Sequence, residues 1–179
     1  QEGRRAQELD PYSLIIIRDL GTTFYFARRY EEALKQYRNA LALDPDFAPA
    51  RSFLGLAYSQ LGDHQRAIAE GLAAVRLSGH APGRLAALGR SYAAAGQIQE
   101  AESILGQLEQ LSKTAYVSAF DTAAIYVTLG NEKRALGLLE AAFKAHDPEL
   151  IRLKRDPFLD PLRSDPRFQD LMRRMKFPH

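Results

Sequence analysis

The chain of 179 residues contains no cysteine, which excludes disulfides, zinc–thiolate sites, iron–sulfur clusters and thiol catalysis together. That absence fits a reducing compartment. No apolar run approaches the roughly 18 residues that a membrane-spanning helix needs. Charge of one sign is also missing: 24 basic side chains face 22 acidic ones, for a formal net charge of +2. A sequence pI near 8.9 would suit a nucleic-acid binder, so the distribution of charge decides. Residues 1–46 carry 7 basic and 8 acidic side chains, 47–81 carry 3 and 2, 82–146 carry 6 and 6, and 147–179 carry 8 and 6. No segment forms a basic patch, so direct nucleic-acid binding is not expected. Near the end, Arg152, Lys154, Arg155, Arg173, Arg174 and Lys176 alternate with Asp156, Asp160, Asp165 and Asp170. They read as a solvated face laced with ion pairs. An apolar share of 46% argues against disorder and suffices for one compact domain.

What is present is a repeat of 34 residues. Gly21, Gly55, Gly89 and Ala123 follow that spacing, as do Phe24, Tyr58, Tyr92 and Tyr126. Ala33, Ala67, Ala101 and Ala135 form a third column, and Leu20, Leu54, Leu88 and Thr122 a fourth. Gly62, Gly96 and Gly130 form a fifth, which Arg28 breaks in the first unit. Self-similarity at this period is the signature of stacked supersecondary units. Each unit reads as two helices. In the second, Leu54, Ala57, Tyr58 and Leu61 make one apolar stripe, and Ala67, Ile68, Leu72 and Val75 another. Between them Gly62 suits a left-handed helix end and Asp63 the next start. Gly55 and Ala67 leave room for two helices to cross closely, and Tyr58 fills the space beside them.

These residues resemble the tetratricopeptide repeat family, whose 34-residue units are helix–turn–helix pairs. The resemblance rests on Leu20–Gly21, Phe24, Ala33, Tyr37, Ala40 and Pro45, on Leu54–Gly55, Tyr58, Ala67 and Ala74, on Leu88–Gly89, Tyr92 and Ala101, and on Tyr126, Ala135 and Ala142. It implies an all-α, right-handed superhelical solenoid with units at 14–47, 48–81, 82–115 and 116–149. Helices are expected near 14–27, 30–43, 48–61, 64–77, 82–95, 98–111, 116–129 and 132–145. Gly71 and Gly79 stand where the family has an aromatic and a proline, and Leu108 where it has a small alanine. With Pro82 and Gly83 they predict a loose joint between the second and third units; the opposite expectation is that Gly71 admits a large neighbour such as Phe53.

Residues 1–13 repeat the end of a unit: Ala6, Leu9, Asp10 and Pro11 lie 34 residues before Ala40, Leu43, Asp44 and Pro45. They read as the remnant of a preceding repeat in a longer protein. After Phe143 the period fades. Asp147–Pro148 and Asp165–Pro166 have the form of a helix cap followed by proline at the first position. Residues 150–179 therefore read as a C-terminal cap with a closing helix near 166–175. The wording of this tail is similar to the end of repeat regions in bacterial multidomain regulators, in which a winged-helix or serine/threonine kinase domain lies upstream. That similarity implies a cytoplasmic regulatory module.

No constellation points to catalysis. Gly89–Arg90–Ser91–Tyr92–Ala93 lacks the second glycine of a nucleophile elbow and sits within a helix. His64, His80, His146 and His179 have no companion at metal-ligand spacing, and neither metal nor cofactor is expected. The family resemblance instead implies a concave groove lined by the first helix of each pair. Its candidate residues are Ile15, Arg18, Thr22, Tyr25 and Phe26, then Ser52, Leu56, Ser59 and Gln60, then Ala86, Arg90, Ala93 and Ala94, and finally Val117, Phe120, Ala124, Val127 and Thr128. Arg18 and Thr22 occupy the first two places of the family's carboxylate clamp, but Gly83 and Ala87 the later ones, so such a clamp is not expected. Tyr25 and Phe26 read equally as peptide anchors or as a face packed on a preceding repeat. Ala93–Ala95 reads as a shallow bay or as helix-favouring filler. The function implied is protein or peptide binding, with self-association or a spacer role as the alternative.

Overall fold

The computed structural model describes Arg5 and residues 9–177. Where the sequence repeats, it pairs helices. Helices α1 (Leu14–Phe26) and α2 (Tyr30–Leu43) form the first pair, α3 (Ala48–Gln60) and α4 (His64–Leu77) the second, α5 (Pro82–Ala94) and α6 (Ile98–Leu111) the third, and α7 (Ala119–Thr128) and α8 (Glu132–Lys144) the fourth. Two 3₁₀ turns, Pro148–Arg152 and Pro157–Leu162, and helix α9 (Pro166–Arg174) complete the chain, with no strand among the described residues. The expected remnant at 1–13 lies mostly outside the described residues, as does His179.

Side-chain caps set the starts: Ser13, Asp63, Ser118, Asn131 and Asp165 each accept an N–H from the first turn that follows. Gly62, Gly96 and Gly130, at φ of 77°, 72° and 76°, end the first helices of their pairs in the left-handed region. In the first pair Arg28 holds this conformation at φ 62°. The close crossings are real: a Cβ on Gly55 would lie 2.8 Å from the Ala67 carbonyl oxygen, and one on Gly89 2.7 Å from Ile125 Cδ1. Tyr58 and Ala67 are both buried.

The expected loose joint between α4 and α5 is instead well packed, with α5 along α4 much as α3 lies along α2. Gly71 admits Leu88, whose Cδ1 would sit 2.9 Å from an added Cβ. Phe53 stacks on Tyr37 at 5.9 Å instead. The loosest joint between pairs is the next one, where α6 and α7 approach each other far less closely than α2 and α3 or α4 and α5, although Ile104, Leu105 and Leu108 share an apolar cluster with Ile125. Here α7 begins about one turn later than expected. The Asp147 carboxylate accepts hydrogen bonds from the Tyr116 hydroxyl, Ser118 Oγ and the Phe120 amide, holding 116–118 out of the helix.

The end of the chain does more than cap. Helix α9 packs on α8, with Arg174 paired to Glu140 and stacked 4.8 Å from the Phe143 ring. Residues 147–163, however, turn back across the side lined by α1, α3, α5 and α7. Leu150, Leu153, Phe158, Leu159 and Leu162 enter the same apolar core as Ile17, Tyr25, Leu56 and Phe120.

Candidate functional site

The expected groove is thus covered by the chain's own tail. Tyr25, Ser52, Leu56, Ser59, Ala86, Arg90, Ala93, Phe120 and Val127 are buried, whereas Arg18, Thr22, Phe26 and Gln60 stay partly accessible. Tyr25 is neither a free anchor nor an open end face: it is 1% exposed and packs edge-on against Phe26, Tyr30 and Phe53. Burial, with Asp156 nearby, raises its hydroxyl well above the ordinary tyrosine pKa.

Arg90 organises the contact. Only 2% exposed, it donates to Asp121 at 2.7 Å and to Asp156 at 3.3 Å, and its guanidinium lies 5.6 Å from the Phe158 ring centre. Asp121 also accepts from Arg152, which stacks 4.8 Å from the Phe120 ring. Burial disfavours charge on Arg152, but Asp121, Asp156 and Glu149 outweigh it and raise its pKa. A buried cation is tolerated only when it is paired in this way. The second Asp156 oxygen caps the 3₁₀ turn through the Phe158 amide at 3.1 Å. One carboxylate therefore both shapes the tail and ties it to α5.

At the far end Arg28 donates to Asp160 at 2.7 and 3.0 Å and to the Arg155 carbonyl at 2.8 Å. Arg155 in turn lies over Phe26 at 5.8 Å. The expectation of a solvated face around Arg152 and Asp156 is corrected here, because both side chains are drawn inside by these pairs. Lys154, Arg173, Arg174 and Lys176 are exposed as expected. Ser91 lies within α5, bonded to Ser59 Oγ at 3.1 Å, without a strained turn.

Sequence reasoning missed Arg28, Asp121, Arg152, Asp156 and Asp160. One signal was available. Thr22, Leu56, Arg90 and Ala124 share a repeat position, and a lone arginine among small or apolar residues needs a counter-charge from elsewhere.

A second concavity lies on the outer side, between α6, α7 and α8. It has a volume of about 660 Å³, a floor that includes Leu105, Leu108 and Tyr126, and rims that carry Glu102, Glu109 and Arg134.

Residues 18–82 match the family model described as tetratricopeptide repeat. No curated protein matches the chain. Among solved structures, a tetratricopeptide repeat protein from Parabacteroides merdae is similar at 18% identity over 96% of this chain and 68% of its own, with a TM-score of 0.65. YrrB, described as a TPR protein with an unusual peptide-binding site, is 19% identical over 97% of this chain and 90% of its own, with a TM-score of 0.56. The pilF protein of Pseudomonas aeruginosa is 16% identical over 97% and 72%, with a TM-score of 0.54. Residues 18–82 are thus similar to tetratricopeptide repeats, and the described residues have a tetratricopeptide-like solenoid fold.

Proposed function

We propose that this chain is a protein-interaction scaffold that meets its partner on its outer surface, as the regulatory part of a larger bacterial protein. The tetratricopeptide fold supports the scaffold role, and the similarity of the tail to those of bacterial regulators supports the regulatory setting. The observation that carries the choice of surface is the coverage of the concave face by residues 147–163. On that face, partner contacts are left to rim residues such as Ile15, Arg18, Thr22, Phe26 and Gln60. The outer surface exposes Leu72 and Ile98. In this reading the units 14–47, 48–81, 82–115 and 116–149 together form the scaffold and no residue is catalytic. No helix among the described residues is long and apolar enough to cross a membrane; a cytoplasmic setting is part of the proposal.

Site-specific photocrosslinking tests it. A photoreactive residue at Leu72 or Ile98 should form adducts with a different protein in cells, and the purified chain should remain monomeric by light scattering as concentration rises. Adducts of the chain with itself, with mass that grows with concentration, would favour self-association instead.

A further inference from the structure

The outer cleft beside α6 has a template elsewhere in the same molecule. At the first joint Tyr58 meets two arginines: Arg66 of α4 sits 4.8 Å from the ring centre, and Arg38 of α2 sits 5.8 Å from it and donates 2.8 Å to the hydroxyl. Two repeats later Tyr126 stands for Tyr58 and Arg134 for Arg66, and Arg134 keeps its place 4.9 Å from the ring centre. The counterpart of Arg38 is Gly106. A Cβ there would meet nothing within 4 Å, and Gly106 and Tyr126 line the same cavity, so the place that Arg38 takes beside Tyr58 is open beside Tyr126. No hydrogen bond reaches its hydroxyl among the described residues.

The neighbouring positions changed as well. Leu34 and Ile68 correspond to Glu102, and Leu41 and Val75 to Glu109. In α2 and α4 these side chains pack into the core; in α6 both are exposed carboxylates without an ion-pair partner among the described residues. The stripe that seals α2 on α3 and α4 on α5 is thus replaced in α6 by carboxylate, glycine and carboxylate. A glycine inside a helix is costly unless something must approach closely, and nothing among the described residues does.

We propose that this cleft docks a helical segment of a partner protein, and that an arginine of that segment enters the place left by Gly106, stacks on Tyr126 and is held by Glu102 and Glu109. The apolar floor at Leu105 and Leu108 takes the flanking side chains. The cleft extends from Ile98 to Ser112, about 21 Å at ~1.5 Å per residue, which suits a helix of about four turns. The chemistry of the occupant follows from Arg38, which fills the equivalent place within the chain, and from the two unpaired carboxylates. The proposal rests on the scaffold reading and narrows it to one surface and one partner chemistry.

The test is to select random 16-residue peptides for binding to the whole chain and to measure affinities by fluorescence anisotropy. Enriched peptides should carry an arginine among apolar residues. Replacing that arginine by citrulline, which keeps the shape and removes the charge, should weaken binding about tenfold or more, as should Gly106→Arg in the chain. Gly106→Arg should fold and melt no lower than the wild type, since it removes a mid-helix glycine into open space. The surface pair Glu102→Lys with Glu109→Lys provides a second variant with the same expected loss. Enriched peptides without arginine, binding unaltered by these variants, or no enrichment would each overturn the proposal. A wild-type dimer abolished by Gly106→Arg would also overturn it, by assigning the cleft to a second copy. The photocrosslinks from Leu72 are read independently, so the scaffold reading can stand when this one fails.

Discussion

Arg28 occupies a backbone conformation that its three counterparts reserve for glycine. For a residue with a Cβ that conformation costs roughly 1–2 kcal/mol. What the arginine adds is its reach to Asp160 and the Arg155 carbonyl. Both partners are substantially exposed, and such a pair is worth about 0–1 kcal/mol. Arg28→Gly should therefore leave overall stability nearly unchanged, whereas Arg28→Ala, which keeps the strain and loses the tether, should be about 1 kcal/mol less stable than the glycine variant. Urea unfolding of the two compares them directly, and equal midpoints would refute the strain argument. Arg90 is the opposite case. Removing it leaves Asp156, 1% exposed, without its cation, so Arg90→Ala should cost about 3–5 kcal/mol. Asp147 adds a dependence on pH. Burial opposes its ionisation, but hydrogen bonds from Tyr116, the Glu149 amide, Ser118 and the Phe120 amide prevail and hold its pKa below 3.8. Its contribution is complete above the unfolded value near 3.8 and disappears as pH falls through the lower folded value. The stability gap between wild type and Asp147→Asn should accordingly be open at pH 7 and narrow progressively below about pH 4, as urea titrations at several pH values would record.

At the scale of elements, most of the helices were legible because their causes are local. The 34-residue spacing brings apolar stripes, capping side chains and left-handed glycines into register, and the close crossings at Gly55 and Gly89 need only the absence of a Cβ. The joints were less legible. A glycine in place of an aromatic looked like a loss at Gly71, but Leu88 of the next pair fills the space. The opening between α6 and α7 arises from Glu102, Gly106 and Glu109, residues ordinary for an exposed helix face until compared with Leu34, Arg38 and Leu41. It also arises from Asp147, which draws 116–118 out of α7. Hydrogen exchange should thus be faster for amides 112–119 than for 78–85, the equivalent stretch at the preceding joint. Equal protection would show that the cleft is sealed in solution. The groove was least legible, because its closure depends on Arg90 meeting Asp121 and Asp156 at separations of 31 and 66 residues, which no local pattern encodes.

For the molecule as a whole, the question is whether the tail is a detachable plug or part of the core. Leu150, Leu153, Phe158, Leu159 and Leu162 are all buried, and burying such a side chain contributes about 1.5–3 kcal/mol. Together they approach the ~5–15 kcal/mol that is the entire stability of a typical domain. A ligand that displaced them would have to match that sum and also satisfy Arg90, beyond what a short peptide supplies at ordinary affinity. The tail therefore belongs to the fold. Removing residues 148–179 should strip the cover from Tyr25, Leu56 and Phe120, abolish cooperative urea unfolding and produce concentration-dependent association by light scattering. It should not yield a stable receptor with an open groove. The decisive contrary result is a monomeric truncated chain that unfolds cooperatively and binds a synthetic peptide of residues 148–163 in trans. That outcome would make the concave face a regulated binding site and return the partner to the groove.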